Sequence, residues 1–212
     1  KLFSAWQAAG QQNPITTLER IRLAMKAGNS NLVNFLAKQL PEDYQTIANA
    51  VMDLQNNPGT VENFARSVGA TDFTRQATAI AFSSLARTDA ERARQMIPSL
   101  VQSQKLDEQQ TQALKEAVAW RLMGNDITSE QARWRDDVVM RSDATSLIER
   151  RVRMSLGNND RRGMNTWIAR LPVEAKEKDE WQYWQADLLL EQGRKEEAEG
   201  ILRKLMQERG FY

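Results

Sequence analysis

Two stretches decide the fold class: residues 147–172, LIERRVRMSLGNNDRRGMNTWIARLP, and residues 179–210, DEWQYWQADLLLEQGRKEEAEGILRKLMQERG. Each is an apolar-periodic run, a turn holding Gly or Asn, a second such run and a stop, the pattern of two antiparallel helices. A helix hairpin cannot bury its own apolar face and needs a similar neighbour to stack on. The other end of the chain carries the same pattern. The expected fold is therefore all-α, a solenoid of stacked antiparallel helix pairs.

Composition agrees. The 212 residues are 41% hydrophobic and 27% charged, the balance of a folded chain. The 29 basic and 28 acidic side chains leave a net charge of +1, so no global field draws the chain to nucleic acid or to an anionic membrane. No apolar run approaches the roughly 20 residues that span a bilayer, and membrane insertion is not expected. Cys and His are both absent. That excludes Ser-His-Asp and Cys-His nucleophile systems and the ordinary zinc sites. General acid or base work falls to a carboxylate, Lys or Tyr. The start, KLFSAWQAAG, has no signal-peptide core, and the end, LMQERGFY, places two aromatics after a helix stop. Both ends read as cuts within a longer chain.

From the start, residues 2–9 read as a short helix closed by Gly10. Thr16 or Thr17 caps a helix over 18–27, which Gly28 and Asn29 stop. Ser30 caps the next, with Leu32, Val33, Leu36 and Leu40 on one face and Phe35 beside them, and Pro41 ends it. Asp43 opens a helix carrying Ile47, Val51 and Leu54. The turn Asn56-Asn57-Pro58-Gly59 follows, and Thr60 caps residues 61–68. Thr71 caps a longer run to Arg87. Residues 90–97 form a helix that stops at Pro98. Asp107 opens residues 108–123, and Thr128 or Ser129 caps a helix through Trp134. Val138-Val139 is too short for a strand, and no period-2 segment is present. The total is about a dozen helices with short links, within the usual priors.

An internal repeat supports the stack. Arg22-Leu-Ala-Met-Lys-Ala-Gly28-Asn29 matches Arg151-Val-Arg-Met-Ser-Leu-Gly157-Asn158. The run Phe35-Leu-Ala-Lys-Gln-Leu-Pro41 matches Trp167-Ile-Ala-Arg-Leu-Pro172. In the last pair Ala186, Leu189, Gly193, Ala198 and Leu202 follow the small-large-small rhythm of tetratricopeptide repeats, whose period is about 34 residues. Gly163 and Ala198 stand as equivalent small positions. A tetratricopeptide-like solenoid is the expectation, although the other pairs lack the full pattern; the alternative is a compact all-α bundle with chance similarity.

The candidate chemistry has a plain alternative in each case. Trp6, Trp120, Trp134, Trp167, Trp181 and Trp184 suit sugar stacking, but equally packing between helix pairs, and packing is favoured. Arg150, Arg151, Arg153, Arg161, Arg162 and Arg170 form a basic cluster that could hold an anionic polymer. With no nucleic-acid motif beside it, pairing with carboxylates of neighbouring helices on a solvated face is the expectation. The neighbours Asp136-Asp137 and Asp179-Glu180 point about 100° apart on a helix, so neither pair straddles a cleft as glycosidic acid-base chemistry requires. They read as surface acids. No glycine-rich phosphate loop is present. Catalytic, cofactor and metal residues are therefore expected to be none.

The runs LERIRLAMKAGN (18–29), TDFTRQATAIAFSSLAR (71–87), VAWRLMGNDIT (118–128) and residues 146–212 resemble the soluble lytic murein transglycosylases of enterobacteria. The resemblance covers essentially the whole chain. It implies the later part of an N-terminal superhelical domain, with residues 1–212 all within it, followed in the parent by a linker and a lysozyme-like catalytic domain. It implies a periplasmic enzyme that cleaves the β-1,4 bond between N-acetylmuramic acid and N-acetylglucosamine. One Glu serves as acid and then base, and the product carries a 1,6-anhydro end. The family's catalytic stretch has Glu-Ser, then Gly-Leu-Met-Gln, then Ala-Tyr-Asn-Ala-Gly, none of which occurs in these 212 residues. The chain by itself is thus expected to be a non-catalytic scaffold that positions the catalytic domain and restricts access to murein. Its expected partners are that domain and peptidoglycan strands. The alternative is a free-standing helical-repeat adaptor for a protein or peptide. Such an adaptor should carry polar capping helices, whereas Ile201, Leu202, Leu205, Met206, Phe211 and Tyr212 leave the last pair apolar.

Overall fold

The computed structural model describes residues 14–208. The expected helix over 2–9, Trp6, Phe211 and Tyr212 lie outside them. Thirteen α-helices and one 3-10 turn make up the described chain, with no strand among the described residues. The all-α class is as expected, and none of these helices is long and apolar enough to cross a membrane. The chain divides into two compact units, residues 1–118 and 119–212.

In the first unit α1 (Pro14–Lys26) and α2 (Ser30–Ala37) form a hairpin, followed by α3 (Glu42–Asn56), a 3-10 turn (Pro58–Thr60) and α4 (Val61–Ser67). Then come α5 (Asp72–Thr88), α6 (Ala90–Gln104) and the start of α7 (Glu108–Arg121). Helix α5 packs on α1, α3, α4 and α6 and is the centre of the unit. Ile21, Val33, Leu36, Val51 and Phe82 are fully enclosed. Each such side chain stabilises the unit by about 1.5–3 kcal/mol through area removed from water.

The second unit holds the end of α7, α8 (Ser129–Met140), α9 (Thr145–Gly157), α10 (Arg161–Arg170), a short α11 (Val173–Lys176), α12 (Asp179–Glu191) and α13 (Lys195–Glu208). Helices α9 and α10 form one hairpin, α12 and α13 the next, and α12 packs on α10. Ile148, Val152, Met164, Trp167 and Trp181 form its core.

Several helix ends differ from the sequence expectation. Helix α1 starts at Pro14, which costs nothing at a first position because that N–H has no intrahelical partner. Thr16 and Thr17 therefore lie inside it. Asn29, not Ser30, caps α2 by accepting from the Leu32 N–H at 3.1 Å. Thr60 precedes α4, but its hydroxyl donates to the Asn57 carbonyl instead of capping. Pro41 rather than Asp43 precedes α3, which opens at Glu42. Thr71 and Thr128 cap as expected, each through a reciprocal capping box.

Two helices run past their expected stops. Helix α6 continues through Pro98 to Gln104. The proline forfeits one backbone bond, yet Met96, Ile97, Leu100 and Gln104 stay buried on the face that packs against α4 and α5. That burial outweighs the roughly 3 kcal/mol proline penalty. Helix α8 reaches Met140 rather than ending at Trp134, because Arg135, Val138 and Val139 are its buried face. Gln104 is fully enclosed. Its amide donates to the Ala65 carbonyl at 2.8 Å and accepts from the Thr74 hydroxyl at 2.9 Å, tying together α4, α5 and α6.

The repeat register is set by backbone rather than by matched letters. Gly28, Asn159 and Gly193 have φ of 73°, 55° and 79°. Each donates to the carbonyl three residues back, and the next residue donates five back, the bonding of a Schellman turn. Asn159 and Gly193 are 34 residues apart, the tetratricopeptide period. Gly157, which the letters align with Gly28, lies inside α9. The helix runs two residues further, and Asn159 takes the left-handed position that Asn tolerates. In this register Leu36, Trp167 and Ile201 are equivalent, as are Val33, Met164 and Ala198. Leu36 and Trp167 are buried, while Phe35, aligned with Trp167 by letters, is 58% exposed.

In this register Ala198 matches Met164 rather than Gly163, its equivalent by letters, and Gly163 is small for a different reason. A Cβ there would lie 2.7 Å from the Ser155 hydroxyl of α9 and 2.2 Å from the Asp160 carboxylate that caps α10. Gly163→Ala should therefore destabilise the second unit by about 1 kcal/mol, the lost cap and forced shift exceeding the gain in helix propensity. A lower urea midpoint checks it; a raised midpoint would mean the cap relaxes freely.

Candidate functional site

The ionisable groups that the fold concentrates lie along a seam in the second unit, where α8, α9, α10 and α12 meet. Helix α9 supplies Glu149, Arg150, Arg151 and Arg153 within one and a half turns, so these side chains fan around most of its circumference. Neighbouring helices meet each of them.

Asp136 on α8 sits between two buried arginines. Its Oδ1 accepts from Arg151 Nε at 2.7 Å and from Arg135 Nε at 3.0 Å. Arg135 also donates to the Leu122 carbonyl at 2.9 Å, and Arg151 to the Ser155 hydroxyl at 2.7 Å. Burial pushes the Asp136 carboxyl up, but the Arg151 and Arg135 hydrogen bonds outweigh it and hold the group below the ordinary carboxylate range.

Glu149 is buried and accepts from the Trp181 indole N–H at 2.7 Å and from Lys178 Nζ at 3.0 Å. Burial again pushes its pKa up, and the Trp181 and Lys178 hydrogen bonds pull it further down. A general acid needs the opposite, a proton retained near neutral pH. Both carboxylates are ionised and paired, so their role is to join helices.

The remaining arginines do likewise. Arg153 pairs with Glu180 at 3.1 Å and lies 5.1 Å from the Trp181 ring centre. Arg150 lies 4.2 Å from the Trp120 ring centre and donates to the Trp120 carbonyl, and Arg151 lies 5.0 Å from that of Trp167. Such contacts add roughly 0.5–2 kcal/mol each, depending on desolvation. Arg161 pairs with Asp187 at 2.6 Å and with Glu191, and these bonds raise its pKa. Arg170 donates to the carbonyls of Met140 and Ser142. Arg162 alone of the six stays on the exposed side of α10 without a guanidinium partner among the described residues.

Within this cluster Arg151, Arg153, Arg161 and Arg170 pair with carboxylates, whereas Arg150 meets the Trp120 carbonyl and ring. Of the six only Arg151 is buried, and it is joined in the interior by Arg135 and Glu149, which the sequence reading did not single out. Asp136 is no ordinary surface acid, whereas Asp137 is one, pairing only with Arg141 a turn away. Glu180 is paired across helices to Arg153. Glu149 and Arg135 were missed. Their signal was weak but present: Glu149 follows the apolar pair Leu147-Ile148, and Arg135 falls one helical turn before Val138 and Val139. Among the tryptophans, Trp167 and Trp181 are core, and Trp120, Trp134 and Trp184 pack half-buried against it. Trp184 meets Tyr183 edge-on at 5.3 Å.

Acid should undo the seam. Asp136 and Glu149 bind protons less readily folded than unfolded, so stability rises with pH where the unfolded chain holds more protons. Their contribution is complete above the unfolded carboxylate values of about 3.9 and 4.3. It is lost as pH falls through the lower folded values. The urea midpoint of the second unit should fall below about pH 4. Glu149→Gln should flatten that fall; an unchanged slope would mean Glu149 does not titrate with folding.

The comparisons with known proteins extend this reading. Along its whole length the chain is 69% identical to the soluble lytic murein transglycosylase of Escherichia coli strain K12 and covers 33% of that protein. The chain is homologous to a segment of the soluble lytic murein transglycosylases. It spans about a third of the length of the curated relatives it matches. The crystal structure of the 70 kDa soluble lytic transglycosylase from E. coli superposes with a TM-score of 0.92 over 98% of the chain and 34% of that protein. A lytic transglycosylase structure from Pseudomonas aeruginosa, 22% identical, gives a TM-score of 0.72 over 96% of the chain and 33% of its own, which shows a shared fold. No protein-family model matches the chain.

Proposed function

We propose that the chain is a non-catalytic scaffold segment of a periplasmic lytic transglycosylase. In this reading residues 1–212 are part of one superhelical domain. The parent enzyme cleaves the N-acetylmuramic acid–β-1,4–N-acetylglucosamine bond to give 1,6-anhydro ends, with a lysozyme-like catalytic domain that lies outside this chain. The segment positions that domain and restricts its access to murein strands. The observation that carries the reading is the commitment of Asp136 and Glu149 to ionised, interhelical pairs, which favours rigidity over proton transfer. The identity to the E. coli enzyme supplies the substrate class.

The test uses the full-length parent, intact or with residues 1–212 deleted, on purified murein sacculi and on soluble glycan strands. Mass spectrometry reads the anhydro-muropeptides. The deletion should change rate or product pattern on intact sacculi more than on soluble strands, and the chain alone should release none. Anhydro products from the chain alone, or unchanged products after deletion, would overturn the proposal.

A further inference from the structure

Two extended residues, Leu171 and Pro172, divide the second unit, with ψ of 146° and 150°. On the near side Arg170 is held by the carbonyls of Met140 and Ser142. On the far side the side-chain amides of Gln182 and Gln185 donate to the Lys176 carbonyl at 2.6 and 3.2 Å, which ties α11 to α12. Helix α13 packs on α12 in turn. Residues 173–208 are therefore held together as one body, linked to the α9–α10 hairpin by a short non-helical connection.

The contact between these two bodies is poor in buried apolar side chains and rich in charge. Helices α9 and α10 supply Leu147, Ile148, Val152, Met164, Trp167 and Ile168 to the buried core of the unit. Among the described residues beyond Pro172, that core receives Ala175, Trp181 and Leu188 alone. Around them lie four ion pairs, each crossing from one body to the other: Lys178 to Glu149, Arg153 to Glu180, and Arg161 to both Asp187 and Glu191. In the first unit Arg22, Arg66, Arg75 and Arg94 instead pair with carboxylates a turn away on their own helices, where breaking the pair frees nothing. The side chains of Arg153, Glu180, Arg161, Asp187 and Glu191 are each a third to a half exposed, so dissolved salt reaches and screens them. Proteins open locally in contiguous units, along boundaries where buried apolar contact is sparse.

We propose that this boundary is a salt-controlled joint: residues 173–208 separate from the α9–α10 hairpin as one unit, uncovering Trp181, more readily than the hairpin itself unfolds. Trp181 carries the reporter. Its indole N–H is enclosed and donates to Glu149, so it exchanges with solvent when the joint opens. The experiment follows that exchange by NMR in the 212-residue chain, with the backbone amides of Val152 and Ile168 marking the hairpin that stays closed. The indole should be protected about tenfold less than those amides, and about threefold less again when salt is raised from about 0.05 to about 0.5 M. Arg161→Gln removes two of the four crossing pairs. It should lower the indole protection about threefold at low salt and leave Val152 and Ile168 as they were. Arg194→Gln breaks a pair with Glu197 inside the moving body and should change neither. Circular dichroism confirms that both variants keep their helices. Equal protection of the indole and the two amides would mean that the unit opens only as a whole. That result would overturn the proposal, as would an indole rate independent of salt, an Arg161→Gln effect shared by all three groups, or an equal effect of Arg194→Gln.

Discussion

Replacing Trp181 by alanine should cost the second unit about 3–5 kcal/mol, the range for deleting a large aromatic from a packed core. Trp181 is fully enclosed, in the first turn of α12, and reaches across to α9. Alanine would leave a cavity in the core cluster that also holds Ile148, Val152 and Leu188. It would also remove the N–H that Glu149 accepts, leaving a buried carboxylate with Lys178 as its remaining partner. The two losses separate with Trp181→Phe, which keeps most of the volume and removes the N–H. That variant should cost about 1–3 kcal/mol. Urea midpoints give the totals, and amide exchange in α9 and α12 localises them. A cost below 1 kcal/mol for alanine would show that α12 does not depend on the indole for its docking.

The second large effect is expected at Asp136. Asp136→Leu would leave Arg135 and Arg151, both buried, without their shared counter-charge. Breaking a buried pair from one side costs about 3–5 kcal/mol. The Asp136 side chain is 35% exposed. Water can therefore reach the site and reduce the cost to about 2–3 kcal/mol. Arg151→Met in the Asp136→Leu background should recover part of it, because one buried charge is then removed with its partner. A double-mutant cycle on the urea midpoints measures the coupling, expected at 1 kcal/mol or more for residues in direct contact. Additive costs would mean that the arginines are satisfied by the Leu122 carbonyl and Ser155 without the aspartate.

The two experiments probe one design. Helix hairpins in this chain bury apolar faces locally, but the join between successive hairpins in the second unit is polar at its edge. Trp181 is the apolar part of that join, and Glu149, Lys178, Arg153 and Glu180 surround it. Such joins hold successive hairpins in register, because ion pairs and cation-π contacts fix direction as well as distance.

The all-α class, the hairpin pattern and most helix positions could be read from the sequence. The 3.6-residue apolar spacing and the Gly, Asn and Pro stops are local signals, and Thr71 and Thr128, read as caps from their place before an apolar run, do cap their helices. Pro98 misled because local propensity penalises proline at a place where tertiary burial of Ile97 and Leu100 decides. The repeat misaligned by two residues because Gly157 resembles Gly28 as a letter, while the turn needs a left-handed residue two positions on.

What the sequence alone determined is therefore the fold class and most of the helix order, since each follows from periodicity along a short segment. Tertiary structure alone decided which charges are buried. Asp136 and Asp137 are adjacent and chemically identical, yet one is clamped by Arg135 and Arg151 and the other pairs on the surface with Arg141. The difference is the arrival of α9, whose Arg151 lies fifteen residues away along the chain. An electrostatic environment is the sum of groups brought close in space, and no local pattern contains that sum.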